Sequence, residues 1–201
     1  MRKNLLWMLL TTAFILNVAM VAVGMASPKP TISIVPKNNS IKPGETFTVN
    51  VNVADIADDR SLYGWEVEIT FNSRILNVLN VTEGTFLNVA GYETIWPEPR
   101  IDNTEGSIGF GSTFMPPYPP TGASGNGTLA TIAIEVKSGG ATDLHFEYTL
   151  LETLVGEVPR PFDEWEYDVV HGRFSYGAAG GVSLELVAGV VIVVAVCSFA
   201  A

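Results

Sequence analysis

Apolar and polar residues alternate along most of the middle of the chain, most cleanly in "YGWEVEITF". The apolar side chains of this segment share one parity and are Tyr63, Trp65, Val67, Ile69 and Phe71. The residues of the other parity are Gly64, Glu66, Glu68 and Thr70. A period of two is the repeat of a β-strand, and a helix would scatter these apolar residues around its surface. The segment therefore predicts a strand with one buried face.

Eight further segments have the same strand character and are separated by turn signals such as Pro43-Gly44. They are "TISIVP", "TFTVNVNV", "ILNVLNVTEGTF", "GYETIW", "GSIGFGS", "TLATIAIEV", "DLHFEYTL" and "VVHGRFSY". No stretch among them has a convincing 3.6-residue apolar stripe. About nine short strands without a helix or an internal repeat predict one all-β domain, an antiparallel β-sandwich.

The N-terminus has the order of features of a secretory signal. Two basic residues, Arg2 and Lys3, precede an apolar run that ends beside the small residue Ala26. Basic, apolar and small residues in this order predict a helical signal peptide over residues 1–26. An uncleaved N-terminal anchor is the alternative. The exported domain is then predicted to span residues 27–176.

The C-terminal residues 177–201 begin with a glycine-rich linker and continue as an uncharged apolar run from Leu186 to Ala201. As a helix, this run reaches about 24 Å, short of the ~30 Å hydrocarbon core of a bilayer. No basic residue follows it to mark a stop-transfer flank. We interpret it as a hydrophobic tail helix and membrane anchor. A processed tail, a span cut by an incomplete reading frame and a buried strand are the alternatives.

Charge and cysteine content narrow the class of protein. Without Arg2 and Lys3, nine basic residues face twenty-one acidic ones, a net charge of about −12. Nucleic acid is excluded as a partner because phosphate binding requires clustered basic residues. The single cysteine, Cys197, lies in the tail, so the domain must be held by its core. Three N-x-[ST] sequons predict N-glycosylation of an exported surface at Asn38, Asn80 and Asn126.

The order of these motifs resembles the cohesin domain family, the dockerin-binding modules of cellulosome-type assemblies. The matching stretches are "IKPGETFTVNVNV", "VEITFNSRILNVLNVTEG", "GTLATIAIEVKSGGATDLHF" and "GRFSY". The resemblance covers about Thr31 to Tyr176 and implies a jelly-roll β-sandwich. The chain departs from the family pattern at the corner Phe71-Asn72-Ser73, where Tyr-Asp-Pro is usual, and at Ile134, where Phe is usual. The loop "FMPPYPPTG" is also richer in proline.

The resemblance also implies a binding site for a dockerin module on the flat outward face of one sheet. Glu66 stands where the family often has an outward Asp or Asn, and Glu68 and Thr70 share its face. The glycine-spaced "SIGFGS" is expected to supply the neighbouring strand, with Ser107 and Gly109 facing outward. The polar side chains of such a row can accept hydrogen bonds from donors on a partner helix. The alternative is an ordinary solvated outer face.

A second interpretation is a carbohydrate-binding module, because exposed aromatic side chains on stiff backbone are typical of sugar platforms. The candidates are Trp96 and Tyr118, with Phe114 and Met115 expected to be exposed in the same proline-rich loop. The alternative is that Trp96 and Phe114 cap the ends of the sandwich. A third interpretation is a structural or adhesion subunit without a dedicated ligand.

Metal and catalytic sites find little support in the sequence. The carboxylates that could bind Ca²⁺ are Asp55, Asp58, Asp59, Asp163, Glu164, Glu166 and Asp168. They fall in two segments, "ADIADDRS" and "DEWEYD". Neither segment has the D-x-[DN]-x-[DN]-G loop, so we expect solvated turns, no metal and no cofactor. The two histidines, His145 and His171, lie in separate predicted strands with opposite phases. No nucleophile or carboxylate pair stands out, so the chain is not predicted to be an enzyme.

These observations lead to one principal hypothesis. The chain is expected to be an exported, membrane-attached, cohesin-like module at the cell surface. It would dock dockerin-bearing proteins, some of them carbohydrate-active, and so contribute to polysaccharide breakdown. Polysaccharide itself is the alternative ligand.

Overall fold

The computed structural model describes residues 28–89, 91–155, 158–162 and 167–177. In these ranges the chain forms thirteen β-strands and one helical turn of three residues, Asp58–Arg60. The predicted N-terminal signal helix and C-terminal tail helix lie outside the described residues. Across the described ranges, no helix is both long enough and apolar enough to cross a bilayer.

The strands of the described chain are numbered here in sequence order. They are β1 (Thr31–Val35), β2 (Asn38–Asn39), β3 (Thr46–Ile56), β4 (Leu62–Thr70), β5 (Leu76–Glu83), β6 (Thr94–Ile95), β7 (Arg100–Asp102), β8 (Ser107–Phe114), β9 (Gly125–Val136), β10 (Gly140–Val155), β11 (Val158–Pro161), β12 (Asp168–Val170) and β13 (Gly172–Tyr176). One sheet has the order β12-β1-β3-β9-β5. The other has the order β2-β13-β10-β4-β8-β6, and β7 and β11 pair with β8 and β10 respectively. The all-β sandwich of two sheets is therefore confirmed.

The core lies between the two sheets and is built from the side chains of one parity on each strand. Its largest fully buried members are Phe114, Phe174, Ile32, Ile34, Leu62, Ile69, Leu76, Ile108, Leu129, Ile132, Ile134 and Leu144. Every buried side-chain nitrogen or oxygen in the described residues has a hydrogen-bond partner. Burial of branched and aromatic side chains is the main stabilising term in a domain without disulfides.

Three features of the strand pattern differ from the prediction. Strands β2, β7 and β11 are short and were not predicted, and "GYETIW" forms a strand only at Thr94–Ile95. The sheets are not wholly antiparallel, since β1 pairs with β12 and β2 with β13 in parallel. The predicted closing strand "VVHGRFSY" is two strands, because the chain crosses from one sheet to the other at His171.

A side-chain amide joins the edges of the two sheets. The Nδ2 of Asn103, in the turn between β7 and β8, donates to the carbonyl oxygen of Val78 at 2.8 Å. Its Oδ1 accepts from the N–H of Val78 at 2.7 Å. The amide thus imitates the peptide group of a neighbouring strand beside β5, the edge strand of its sheet. This contact fixes the position of β7, which carries residues of the site described next.

Candidate functional site

The outward side chains of β4 are those that the alternation predicts. Tyr63, Trp65, Val67 and Ile69 are buried in the core, with at most 3% of their surface exposed. The side chain of Glu66 is half exposed, and Glu68 and Thr70 are partly buried. The predicted parity of this strand is therefore confirmed, and its polar row faces away from the core.

Strand β8 lies beside β4, so the two predicted segments share one surface. Glu66 pairs with Gly111, Glu68 with Gly109 and Thr70 with Ser107. Residues that pair directly in an antiparallel sheet place their side chains on the same face. The outward residues of β4, β8 and β10 are called the outer face below.

Gly109 is not accessible on the outer face as expected. The guanidinium of Arg100, which pairs with Gly109 from β7, lies over it, and a Cβ at Gly109 would stand 2.9 Å from Nη2 of Arg100. Gly109 is buried as a result. A partner at this position would meet Arg100, whose side chain is 77% exposed, rather than the glycine.

Strand β10 completes the outer face with residues that the sequence did not single out. Tyr148 pairs with Glu68 and Leu150 with Glu66. The register shifts between Phe146 and Tyr148, and a bulge of this kind reverses the parity of the residues that follow it. Tyr148, which regular alternation would place on the side of the buried Phe146, is instead 47% exposed on the outer face.

A groove of about 440 Å³ runs along the outer face over β8. Its floor includes Gly109 and Gly111, and its wall comes from the segment between β6 and β7, with Ile95 and Pro97. A Cβ at Gly111 would meet the carbonyl oxygen of Trp65 at 2.5 Å, so the close approach of β4 and β8 requires glycine there. Gly111 leaves its part of the floor as bare backbone, whereas Gly109 is covered by Arg100.

Three carboxylates and one guanidinium line the groove, and we call it the acidic groove. The charged residues are Glu66, Glu98, Glu152 and Arg100. Nη2 of Arg100 lies 3.9 Å from Oε1 of Glu66, a long contact between exposed side chains that contributes little stability. Burial, and then the nearby charge of Glu66, raise the pKa of the Glu152 carboxyl. Negative charge in the groove is thus not fully compensated by the chain itself.

The aromatic residues proposed for sugar binding lie against the core. The ring of Trp96 packs on Trp65 and Phe110, with centroid distances of 6.0 and 6.3 Å. Tyr118 contacts the edge of Tyr63 at 6.4 Å. Because both rings pack against core aromatic residues, they do not form the open platform expected for sugar binding. The contacts of Trp96 agree with the alternative that it caps the sandwich.

The side chain of Phe114 is fully buried, so the expectation that it is exposed is wrong, and its position agrees with the alternative that it caps the sandwich. It ends β8 on the parity that faces the core, where its ring meets Tyr63 edge-on at 6.0 Å. The next residue, Met115, is 43% exposed as expected. The apolar loop therefore supplies a core residue rather than an aromatic anchor.

The acidic segments do not form a metal site in the described part of the chain. The carboxylate of Asp58 accepts a hydrogen bond from the hydroxyl of Ser124 at 2.5 Å. Asp168 pairs with Lys29 at 2.5 Å. In the described ranges, no group of three or more His, Cys, Asp or Glu side chains could hold a metal ion. Asp163, Glu164 and Glu166 lie outside those ranges.

The two histidines, which the sequence keeps apart, are brought together by the crossover between the sheets. Their rings stack with centroids 4.1 Å apart, and Nδ1 of His171 accepts the N–H of Phe146 at 3.0 Å. Burial, and then the neighbouring His145, lower the pKa of His171, while Asp143 acts in the opposite direction. Neutral His171 thus provides the acceptor for Phe146 where the pairing of β10 with β13 ends at Leu144.

The asparagines of all three sequons are exposed. Asn80 and Asn126 are exposed, and so is Asn38 in β2. The Oδ1 of Asn126 accepts the N–H of Asp55 at 2.7 Å, which leaves Nδ2, the atom that a glycan modifies, free of that contact. Glycosylation at these positions stays a prediction.

The model of the family described as cohesin domain matches residues 32–154, which is more than half of the chain. The chain belongs to the cohesin domain family. The matched range contains β4, β8 and nearly all of β10, and therefore the outer face of this cohesin domain. Cohesin domains are non-catalytic modules, so the prediction that the chain is not an enzyme is confirmed.

Solved structures with the same fold include three cohesins. The seventh ScaB type I cohesin from Pseudobacteroides cellulosolvens is 16% identical, with 77% of this chain and 96% of that chain covered and a TM-score of 0.55. The third ScaC cohesin from Acetivibrio cellulolyticus, in complex with the ScaB dockerin, is 15% identical, with 75% and 99% covered and a TM-score of 0.58. The OlpA cohesin from Clostridium thermocellum, in complex with Doc918, is 16% identical, with 74% and 99% covered and a TM-score of 0.58. No protein with a curated function matches the sequence.

Proposed function

We propose that this cohesin domain binds a dockerin-type protein module without covalent chemistry, through the outer face of β10, β4 and β8. The observation that carries the proposal is the open surface itself. Glu66 and Tyr148 are exposed on it, Arg100 is exposed beside it, and the groove lined by Glu66 and Arg100 is accessible. The similar cohesins from Acetivibrio cellulolyticus and Clostridium thermocellum were solved in complex with dockerins, which supports the same class of partner here.

The composition of the outer face suits a protein partner. Exposed Tyr148 provides an amphipathic contact, and the carboxylates of the acidic groove provide directional acceptors. Aromatic residues surrounded by polar groups are typical of the energetically dominant part of a protein interface. Sugar binding through Trp96 and Tyr118 has less support, because both rings are engaged with core aromatics.

The cohesin domain acts outside the cell and attached to the membrane. The predicted signal peptide, residues 1–26, would direct export, and the apolar run Leu186–Ala201 would anchor the product. The domain would then tether dockerin-bearing proteins, including carbohydrate-active ones, to the cell surface and contribute to polysaccharide breakdown. Its acidic composition suits an extracellular, solvated surface.

A pull-down tests the proposal. The full-length protein is immobilised and exposed to the exported proteins of the source organism and, separately, to a panel of polysaccharides. We expect retention of a dockerin-bearing protein, identified by mass spectrometry, and its loss in Glu66→Arg. The matched control is Glu45→Arg, which makes the same charge reversal at an exposed residue beside β3, in the other sheet.

Three results would contradict the proposal. One is retention on polysaccharide alone, and a second is retention of no ligand of either kind, as expected for a purely structural subunit. The third is equal loss of the dockerin-bearing protein in both charge-reversed variants, which would indicate a general effect of charge rather than docking at the outer face.

A further inference from the structure

One edge of β10 lacks a neighbouring strand over the stretch that carries Tyr148. Strand β4 pairs with the other edge, while β13 pairs with this edge from Gly140 to Leu144 and β11 from Glu152 to Val155. In the described part of the chain, no strand covers residues 145–151 on this edge. The backbone groups there therefore need partners other than a strand.

Two side chains provide such partners on either side of Tyr148. The N–H of Phe146 donates to Nδ1 of His171 at 3.0 Å. The hydroxyl of the buried Tyr167 donates to the carbonyl oxygen of Thr149 at 3.0 Å. The backbone that presents Tyr148 on the outer face is thus attached just before and just after this residue.

The attachment through His171 lies at the bulge of β10. The register with β4 shifts between Phe146 and Tyr148, which makes Glu147 the extra residue of the bulge. The side chain of Phe146 is buried, so its N–H would be costly to leave without an acceptor. If His171 ceased to accept, the backbone of Phe146 would move to find another partner, and the bulge that turns Tyr148 outward would move with it.

This hydrogen bond requires the neutral form of His171. A backbone N–H can only donate, so Nδ1 accepts through its lone pair and the neutral ring carries its proton on Nε2. A second proton on Nδ1 would turn the acceptor into a donor that faces the donor of Phe146. The ordinary pKa of histidine is about 6.5, so this change occurs in mildly acidic solution.

The groups around His171 keep its ring neutral at pH 7. The ring of His145, exposed on the outer face where it pairs with Thr70, stacks on it with centroids 4.1 Å apart. The other charged side chains at this end of the surrounding strands are Asp143 and Glu147 of β10, Glu68 of β4, Asp168 of β12 and Arg173 of β13. Asp143 and Arg173 pair at 2.8 Å. Burial, and then His145, lower the pKa of His171, whereas Asp143 acts to raise it.

We propose that His171 is a positioning residue for docking: its neutral ring fixes the β10 backbone that presents Tyr148, and protonation of the ring weakens the binding of the partner. This inference rests on the proposed function, because Tyr148 belongs to the surface assigned to the dockerin. It adds regulation to that site, since the cohesin domain holds its partner at neutral pH and releases it in mild acid.

The test is isothermal titration calorimetry of the full-length protein with the dockerin-bearing protein retained in the pull-down, at about pH 7.5 and about pH 5.5, on either side of the ordinary histidine pKa. We expect the affinity to fall about tenfold between these values, the effect of leaving one buried donor without its partner. Circular dichroism at each pH establishes that the protein stays folded.

Two variants at one position separate the acceptor from the ring. His171→Asn keeps an acceptor oxygen near the position of Nδ1 and cannot be protonated, so it is expected to bind equally well at both pH values. His171→Phe keeps a ring against His145 but has no acceptor, and is expected to bind about tenfold more weakly at both. Use of the same dockerin throughout cancels the titration of its own groups.

Two further measurements test the route through Tyr148. In a Tyr148→Ala background, His171→Asn is expected to make no difference to the pH dependence, because the contact on which His171 acts is gone. Nuclear magnetic resonance titration of the ring nitrogens follows His171 directly. His145→Gln removes the neighbour that lowers the pKa of His171, so the midpoints of ring titration and of docking are both expected to move to higher pH.

The possible results distinguish the two proposals. If the unmodified protein binds no dockerin, the proposed function fails and the role of His171 in docking falls with it. If a dockerin binds with the same pH dependence in His171→Asn as in the unmodified protein, or more tightly in acid, the inference is refuted while the proposed function stands. An effect of His171→Asn that persists in the Tyr148→Ala background would also overturn it.

Discussion

Replacement of Trp96 by alanine distinguishes a core residue from a sugar platform. Truncation of a fully buried tryptophan to alanine costs about 3–5 kcal/mol of stability. Because Trp96 is only partly buried, we expect about half of this cost, ~2 kcal/mol. The lost ring contacts with Trp65 and Phe110 add about 0.5 kcal/mol each. We therefore expect Trp96→Ala to lower the free energy of unfolding by about 3 kcal/mol.

The assay is urea unfolding of the full-length protein followed by far-ultraviolet circular dichroism. A loss of this size corresponds to a fall in Tm of about 6–12 °C for a domain of this length. Trp96→Phe, which keeps an aromatic ring beside Trp65 and Phe110, is the matched control and is expected to lose less than half as much. A loss below about 1 kcal/mol for Trp96→Ala, together with loss of polysaccharide binding, would refute the assignment of Trp96 to the core.

Two further predictions concern the contacts that hold the sheet edges. Asn103→Ala removes both hydrogen bonds to Val78 and is expected to lower the free energy of unfolding by about 1–3 kcal/mol in urea titrations. Asn88→Ala, a change at an exposed asparagine in the loop after β5, is the control and should cost less than about 0.5 kcal/mol. The lowered pKa of His171 means that the folded state binds fewer protons than the unfolded state. Stability should therefore be complete above about pH 6.5 and fall as the pH drops below that value, because protonated Nδ1 cannot accept the N–H of Phe146. Urea titrations at several pH values measure this, and an equally steep decrease in His171→Gln would contradict it.

The polar row of β4 shows how far the sequence determines the site. Glu66 and Glu68 could be assigned to an outward face because apolar and polar residues alternate from Tyr63 to Phe71, and β4 pairs with β8 from Gly64 to Thr70 without a register shift. Ser107 could be placed on an adjoining strand by strand geometry alone, and the register of β4 with β8 agrees with that placement. The wall of the groove could not be predicted. Ile95 and Arg100 lie in or beside strands of two and three residues, which are too short to carry a recognisable period.

The contribution of β10 illustrates what local pattern cannot supply. Its alternation is interrupted by a bulge before Tyr148, and the bulge reverses the side on which Tyr148 and Leu150 emerge. Nothing in the local order of apolar and polar residues marks that position, because the extra residue is accommodated by pairing with β4 and not by the segment itself. Exposed Tyr148 and partly buried Leu150 were therefore not predicted as members of the outer face.

The sequence alone determined most of the long strands, the parity of β4 and the family, because the side chains of a half-buried strand alternate with a period of two residues. Only the tertiary structure decided which charges share the groove and where His171 meets His145. Those neighbours come from strands that are far apart in the chain, and their distances depend on register, bulges and the crossover between sheets. Local alternation places a side chain on a face, whereas the packing of the whole sandwich decides what stands beside it.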